Sequence, residues 1–135
     1  MNNFEIHEAE IPAGVYRKLR TGSGLSDKTA EACAIGLRNS VHSVMIKNGA
    51  SVIGMGRIIG DGGCFCQIVD ICVLPRFQGQ GIGKMIMQNL SDFIWDRLPE
   101  SCYVSLIADG DASFLYEKFG FRDTLLKSRG MYLRR

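Results

Sequence analysis

The sequence lacks the features that mark membrane-bound and nucleic-acid-binding proteins. None of its apolar runs approaches the ~20 residues that a membrane-spanning helix needs, and its first residues have no signal-peptide character. The formal net charge is only +2, and the basic residues form no run longer than a pair such as the terminal Arg134-Arg135, so no nucleic-acid partner is expected. We therefore expect no membrane association and a cytoplasmic location.

Patterns typical of metal sites and disulfide frameworks are also missing. The five cysteines form an odd set without a C-x-x-C pair, and the two histidines lie far from them in sequence. Reduced thiols in a protein core explain this pattern better than zinc ligands or disulfides. We expect no metal, and the length of 135 residues predicts a single domain over residues 1–135 with one core.

The most informative stretch is Ile68–Lys84, which joins a predicted strand to a predicted helix through three alternate glycines. Its first part is apolar and β-branched, which is typical of a buried strand, and Pro75 ends that strand. Gly79, Gly81 and Gly83 leave the backbone bare where the helix begins. A bare helix N-terminus offers free N–H groups and a positive dipole end, which suit a phosphate.

Two well-known phosphate loops do not fit this stretch. The G-x-G-x-x-G fingerprint of dinucleotide-binding folds would need glycine in place of Lys84, and a P-loop would need Ser or Thr in place of Met85. What remains is Gln-x-x-Gly-x-Gly, formed by Gln78, Gly81 and Gly83. The alternative interpretation is a glycine-rich turn that only packs the helix against the sheet.

Hydrophobic periodicity and turn residues predict the element order β-α-α-β-β-β-α-β-α-β-β. The predicted elements are a strand Phe4–His7, a helix starting at Pro12, a helix N-capped by Ser26, strands Val41–Lys47 and Ser51–Ile59 joined by Asn48-Gly49, a strand Phe65–Leu74, a long helix ending near Arg97, a strand Tyr103–Ile107, a helix Ala112–Phe119, and a last antiparallel pair Phe121–Leu126 and Arg129–Arg134.

This order, the Gln78 motif and a second motif resemble one family. The segment Ala112–Phe121, A-S-F-L-Y-E-K-F-G-F, is close to A-x-x-[LF]-Y-x-x-x-G-F. With both motifs, the sequence resembles the GNAT superfamily of acetyl-CoA-dependent N-acetyltransferases from Phe4 to Leu133. The resemblance implies an α/β (α+β) fold with a central mixed, mostly antiparallel sheet. The sheet is expected to splay between its fourth and fifth strands and to carry helices on both faces.

The resemblance also implies which residues bind acetyl-CoA and act on it. The N–H of Ile71 is expected near the acetyl oxygen, and Val73 on the pantetheine amide. Tyr116 is expected to act as the general acid that protonates the departing CoA thiolate. The full expected cofactor-binding set is Ile71, Cys72, Val73, Gln78, Gly79, Gln80, Gly81, Ile82, Gly83, Lys84, Asp109 and Tyr116.

The general base is not identified by the sequence. Many family members carry glutamate where this chain has Gln67, which cannot accept a proton at a useful pH. Strand alternation predicts Asp70 on the face opposite to Gln67, where it could act as the base, pair with Arg57 or cap a turn. Asp109, at the mouth of the cleft, and a water relay are the other candidates.

The acceptor is expected to be a small primary amine, a polyamine or an amino sugar rather than a protein tail. The segments 21–25, 60–63 and 127–131 should border its site, and Asp61 is the one acid among them that could attract a cationic amine. Two other interpretations stay open, namely a protein or peptide N-acetyltransferase and a non-catalytic acyl-CoA-binding module. A homodimer through a sheet edge would be ordinary for the family.

Overall fold

The computed structural model describes residues 3–135. The regular elements are β1 Phe4–His7, α1 Ala13–Gly22, α2 Ala30–Gly36, β2 His42–Asn48, β3 Ser51–Gly60, β4 Phe65–Val73, α3 Ile82–Arg97, β5 Tyr103–Leu106 and α4 Ser113–Glu117. Short 3₁₀ turns occur at Leu37–Asn39, Pro75–Phe77 and Gly110–Ala112. Across residues 3–135, the helices are all too short or too polar to span a bilayer.

The five strands form one sheet in the order β1-β2-β3-β4-β5. The first four strands pair antiparallel, and the predicted hairpin between β2 and β3 is confirmed, although its two turn residues are Gly49 and Ala50 because Asn48 still pairs with Ser51. Strand β5 pairs with β4 in parallel, as expected for a strand that returns after a crossover helix. The expected mixed, mostly antiparallel sheet is therefore confirmed.

Helices cover both faces of this sheet. On one face α3 buries Ile82, Ile86 and Leu90 against β2, β3 and β4 in the larger core cluster. On the other face α1 and α2 form a second cluster, in which Leu19 and Cys33 pack with strand residues. The strands are thus buried on both sides, which matches their apolar sequences.

Helix α3 lies so close to the sheet that β3 carries glycine at the contact. A Cβ added to Gly56 would stand 2.7 Å from Cγ2 of Ile86, whose side chain is fully buried. We expect Gly56→Ala to lower the free energy of unfolding by about 1–3 kcal/mol through overpacking. Urea denaturation measures this loss. Gly14→Ala is the matched control, since nothing lies within 4 Å of its added Cβ in α1, and alanine favours a helix.

Two sequence-based expectations about these elements are wrong. Ser26 does not cap α2; Thr29 does, by accepting the N–H of Ala32 at 3.1 Å. The predicted strand pair Phe121–Leu126 and Arg129–Arg134 is absent, and within residues 3–135 no strand follows β5. The segment beyond residue 121 is instead irregular, with a turn at residues 125–127.

Candidate active site

The site begins where the sheet opens between β4 and β5. The two strands pair only from Phe65↔Tyr103 to Ile68↔Leu106. Strand β4 continues to Val73, paired with β3 on its other side. From Val69 onward the edge of β4 that faces β5 is therefore open, and a cavity of about 1040 Å³ lies beside it. Such a volume accommodates a ligand of the size of a cofactor.

A β-bulge marks the point where the opening begins. Between the pairs Arg57↔Val69 and Met55↔Cys72, β3 has one residue and β4 has two, Asp70 and Ile71. Asp70 has a φ of 62°, a left-handed conformation that aspartate tolerates better than most residues. A bulge bends its strand and disrupts local pairing, which explains why β4 turns away from β5 here.

The open edge presents backbone donors toward the cavity. The N–H of Leu74 donates to the C=O of Ile53 on β3 at 2.9 Å. Because donors alternate between the two edges of a strand, the N–H groups of Val73 and Ile71 point to the open edge. The side-chain amide of Gln78 donates to the C=O of Val73 at 2.9 Å, so it fixes the loop to the strand end.

The glycine loop after β4 leads directly into α3. Gly81, at the helix N-cap, has a φ of 83° and no side-chain cap, and Gly79 has a φ of 77°; both conformations favour glycine. The N–H groups of Ile82, Gly83 and Lys84 in the first turn have no intrahelical acceptors. Gly79, Gly81, Ile82 and Gly83 line the cavity.

Not every residue of the expected cofactor set contacts this cavity. Gln80 and Lys84 are exposed and do not line it. The Cys72 side chain is buried on the α1 side, and burial raises the pKa of its thiol to about 11. Any contact of Cys72 with a ligand in the cavity would therefore involve its backbone.

Tyr116 of α4 lines the same cavity from the side of β5. Burial raises the pKa of its phenol above the usual value, and the negative charge of Asp109 raises it further. Asp109 is exposed at the mouth of the cavity. The Tyr116 hydroxyl is therefore a protonated donor at neutral pH.

Asp70 is the centre of a buried charge cluster on the α1 side. Its Oδ1 accepts from Nη1 of Arg20 at 2.7 Å and from the hydroxyl of Tyr16 at 2.9 Å, and its Oδ2 accepts from Nε of Arg57 at 2.8 Å. The side chains of Asp70, Arg20 and Arg57 are only 5%, 11% and 10% exposed. Burial and then the charge of Asp70 raise the pKa of Tyr16 to about 12. The expected pairing of Asp70 with Arg57 is confirmed.

The bulge also corrects the predicted face of Asp70. Ile68 and Ile71 both belong to the core under α3, although strict alternation would place them on opposite faces. The extra residue shifts the alternation by one, so Asp70 lies on the α1 face together with Gln67. The prediction that these two side chains lie on opposite faces is therefore wrong.

The cavity end near α1 is more basic than the sequence suggested. Arg20, Lys28 and Arg57 line it, whereas Asp61 does not. The Oδ1 of Asp61 instead accepts the N–H groups of Gly63, Cys64 and Phe65 at 2.8–3.0 Å, and these bonds, that of Phe65 foremost, lower its pKa. Of the three segments expected to border the acceptor, only 21–25 contributes to the lining, through Ser23 and Leu25.

Sequence reasoning missed Tyr16, Arg20 and Lys28 as parts of the site. A signal was present for two of them, because Tyr16 and Arg20 are four residues apart and so lie on one face of α1. That face also carries the buried Leu19, and polar groups on a buried face need partners. Within residues 3–135, no three His, Cys, Asp or Glu side chains group to hold a metal ion.

Comparison with known proteins now assigns the family. Residues 38–123 match the model of the acetyltransferase (GNAT) domain, and the chain belongs to this family. The uncharacterized N-acetyltransferase ycf52 of Porphyra purpurea is 34% identical over 123 residues, which cover 88% of this chain and 66% of that protein. The matched region thus accounts for slightly less than two thirds of this relative.

Solved structures agree with this assignment. A crystal structure from methicillin-resistant Staphylococcus aureus, described as a protein of unknown function and probable acetyltransferase, superposes with a TM-score of 0.92 at 44% identity. The alignment covers 98% of this chain and 100% of that one. A predicted acetyltransferase from Clostridium acetobutylicum, solved with acetyl-CoA, shares the fold with a TM-score of 0.71 at 16% identity, covering 98% of this chain and 96% of its own.

Proposed function

We propose that this protein transfers the acetyl group of acetyl-CoA to a primary amine of a small molecule, by direct attack in a ternary complex. The observation that carries the proposal is the open edge of β4 from Val69 to Val73, which ends at the uncapped N-terminus of α3. A strand edge with free donors, followed by a helix N-terminus, suits a ligand that has an amide chain joined to phosphates.

In this proposal the backbone binds the carrier. The pyrophosphate is held by N–H groups between Gly79 and Lys84, where the helix dipole favours negative charge. The pantetheine lies along β4, with its amide at the N–H of Val73. The N–H of Ile71 then faces the acetyl oxygen and stabilises the charge that develops there, an interaction worth a few kcal/mol of barrier.

Tyr116 is proposed as the general acid. It faces the cavity opposite the open strand edge, and its raised pKa keeps the phenol protonated at neutral pH. A thiol's usual pKa of ~8.5 lies below that of the phenol but close enough for the proton to pass from Tyr116 to the sulfur as the C–S bond breaks, and water then reprotonates the phenolate.

The amine proton is proposed to leave through water at the mouth of the cavity, beside Asp109. Asp70 fits the role of base poorly, since three donors already occupy its two oxygens. Gln67 cannot serve, because an amide does not accept a proton at useful pH. The role of Asp70 as a base therefore stays a prediction without geometric support. The cytoplasmic location of the protein also stays a prediction.

The basic end of the cavity suggests an acceptor that carries an acidic group as well as its amine. The two guanidinium groups of Arg20 and Arg57 share one carboxylate, which leaves one positive charge, and exposed Lys28 adds another. A carboxylate or phosphate on the acceptor would compensate this charge. A wholly cationic acceptor, such as a basic peptide tail or a polyamine, would be repelled.

A thiol-release assay tests the proposal. The panel pairs each amine with its acidic analogue, such as an amino sugar with its phosphate ester, and includes basic peptides. We expect release of CoA with small amines, a higher kcat/KM for the acidic member of each pair, and a rise in its KM in Lys28→Ala. A preference for polyamines or peptides would contradict the acceptor assignment. Binding of acetyl-CoA without turnover on any amine would favour the non-catalytic module.

A further inference from the structure

The wall of the cavity contains three large apolar side chains that do not belong to the core. Ile59 of β3, Val69 of β4 and Ile107, which follows β5, line the cavity. Among the described residues, neither core cluster includes any of the three, and Ile107 is 64% exposed. Large apolar groups that line a cavity without packing into a core are typical of ligand contacts. We call these three residues the apolar floor.

The apolar floor lies on the α1 face of the sheet, where the sheet opens. Ile58 belongs to the core under α3, so its neighbour Ile59 faces the opposite side. The same holds for Val69, because its neighbour Ile68 belongs to that core. Ile107 comes directly after the last paired residue of β5, so it lies across the opening from Val69. The α1–α2 cluster does not extend this far along the sheet.

The apolar floor adjoins the basic end of the cavity. Arg57 pairs with Val69, and Ile59 pairs with Gln67. The backbones of Arg57 and Ile59 are therefore two residues, or roughly 7 Å, apart along β3. The N–H of Ile71, which is proposed to face the acetyl oxygen, lies close to both. Positive charge and apolar surface thus flank the place proposed for the thioester.

The apolar floor has no charge of its own. Gln67 is the polar residue beside it that lines the cavity, and its amide stays neutral at any useful pH. The nearby carboxylate of Asp70 is already occupied by three donors on the α1 side. A glutamate in place of Gln67 would attract a cationic group, whereas the amide does not. The floor therefore suits an uncharged apolar group of a ligand.

We propose that the acceptor is an α-amino acid with a large apolar side chain, an inference that rests on the proposed function. Its carboxylate faces the basic end, its amine faces the thioester and its side chain covers the apolar floor. One α-carbon carries all three groups, which matches their close spacing in the site. The amine nitrogen bonds to the acetyl carbon as the C–S bond breaks. The sulfur takes the proton of Tyr116, the amine gives one proton to water, and the products are CoA and an N-acetyl amino acid.

Thiol release with a series of amino acids tests this assignment. We expect kcat/KM to be higher for phenylalanine and leucine than for alanine by roughly tenfold or more, as is usual for apolar contacts of this size. Phenylalanine amide, which lacks the negative charge, should be poorer than phenylalanine by about tenfold. Equal values for phenylalanine and alanine would overturn the assignment and leave acetyl transfer intact. A preference for the amide, or for a peptide that begins with phenylalanine, would also overturn it.

A substitution in the apolar floor gives the second test. Ile107→Ser should lower the ratio of kcat/KM for phenylalanine to that for alanine by roughly fivefold or more, because it removes apolar contact area. Ile35→Ser is the matched control, since Ile35 is a 52% exposed isoleucine on α2 that does not line the cavity. The control should keep the wild-type ratio. A loss of stability in Ile107→Ser with an unchanged ratio would show that the floor packs against the chain itself, which would overturn the assignment.

A charge beside the apolar floor should redirect its preference. In Gln67→Glu we expect the ratio of kcat/KM for lysine to that for phenylalanine to rise by about tenfold, since the new carboxylate attracts the cationic side chain. Taking this ratio cancels any effect on the chemical step that both acceptors share. Gln88→Glu makes the same change at an exposed position of α3 outside the cavity and should leave the ratio unaltered. An unaltered ratio in Gln67→Glu would contradict the assignment.

A binding measurement separates this assignment from the proposed function. Phenylalanine is titrated into the wild-type protein saturated with CoA, and methyl NMR spectra follow Ile59, Val69 and Ile107. Phenylalanine should shift these signals, and glycine should shift them much less. Shifts without CoA release from acetyl-CoA with any amine would reject the proposed transfer but support the site for the side chain. The absence of shifts with phenylalanine would reject the site itself, whatever the outcome of the release assay.

Discussion

Replacing Tyr116 with phenylalanine is expected to lower kcat by about 10²–10⁴-fold, the usual contribution of a positioned general acid. The substitution keeps the ring that packs against the core and removes only the hydroxyl. The KM for acetyl-CoA should therefore change little, since in our proposal the backbone of β4 and the glycine loop binds the carrier. Steady-state thiol release and calorimetric titration with acetyl-CoA measure the two effects separately.

The pH dependence adds a second readout for Tyr116. Its pKa lies above the usual value, because of burial first and Asp109 second, so the acid form persists through neutral pH. Activity should be lost only as the pH rises through that raised pKa. Asp109→Asn should shift this loss to lower pH. Tyr103→Phe, a hydroxyl deletion outside the cavity, should leave kcat unchanged. An unaltered kcat in Tyr116→Phe, with chemistry limiting the rate, would remove Tyr116 from the mechanism.

Asp70→Asn is expected to lower the free energy of unfolding by about 3–5 kcal/mol. The substitution keeps the side-chain shape, and asparagine tolerates the left-handed backbone at this position. It removes the negative charge between Arg20 and Arg57, whose guanidinium groups are buried with it. Breaking a buried ion pair leaves an uncompensated charge, which accounts for the size of the loss. Urea denaturation with an unchanged m-value measures it.

A matched control for Asp70 is the exposed ion pair between Asp27 and Arg17, whose atoms lie 2.8 Å apart. Asp27→Asn should cause little loss, because solvent screens exposed pairs. The double variant gives a further check. Asp70→Asn and Arg57→Gln together should lower the free energy of unfolding by less than the sum of the losses in the two single variants. Strict additivity, or equal losses in Asp70→Asn and Asp27→Asn, would show that the buried cluster does not stabilise the fold.

The sequence predicted the parts of the fold whose signals are local. The β2–β3 hairpin is specified by Gly49, which lies in the turn with a φ of 63°, a conformation that favours glycine, and the glycines from Gly79 to Gly83 mark the start of α3. The cap of α2 was missed because Ser26 and Thr29 are both good N-caps. Ser26 is used elsewhere, since its C=O accepts from Nε of Arg20 at 2.7 Å and its Oγ from Nη2 at 3.2 Å.

The candidate site was predicted in part for the same reason. The glycine loop and the tyrosine motif are continuous in sequence, so Gly81 and Tyr116 could be placed in one cavity by resemblance. The charge cluster joins α1, β3 and β4 through residues up to 54 positions apart, and no local pattern contains it. The bulge at Asp70 could not be seen either, because it depends on the register between β3 and β4 and inverts every later side chain of the strand.

The bulge makes one aspartate responsible for two properties of the molecule. The same residue that pairs with Arg20 and Arg57 also lies in the bulge that bends β4 away from β5. Deleting Asp70 would restore the regular pleat of β4 and allow β4 and β5 to pair beyond Ile68. The open edge that is proposed to bind the carrier would then close, while Ile71 and the later residues of β4 would keep the faces that they now occupy. The open edge and the buried charge cluster therefore depend on the same inserted residue.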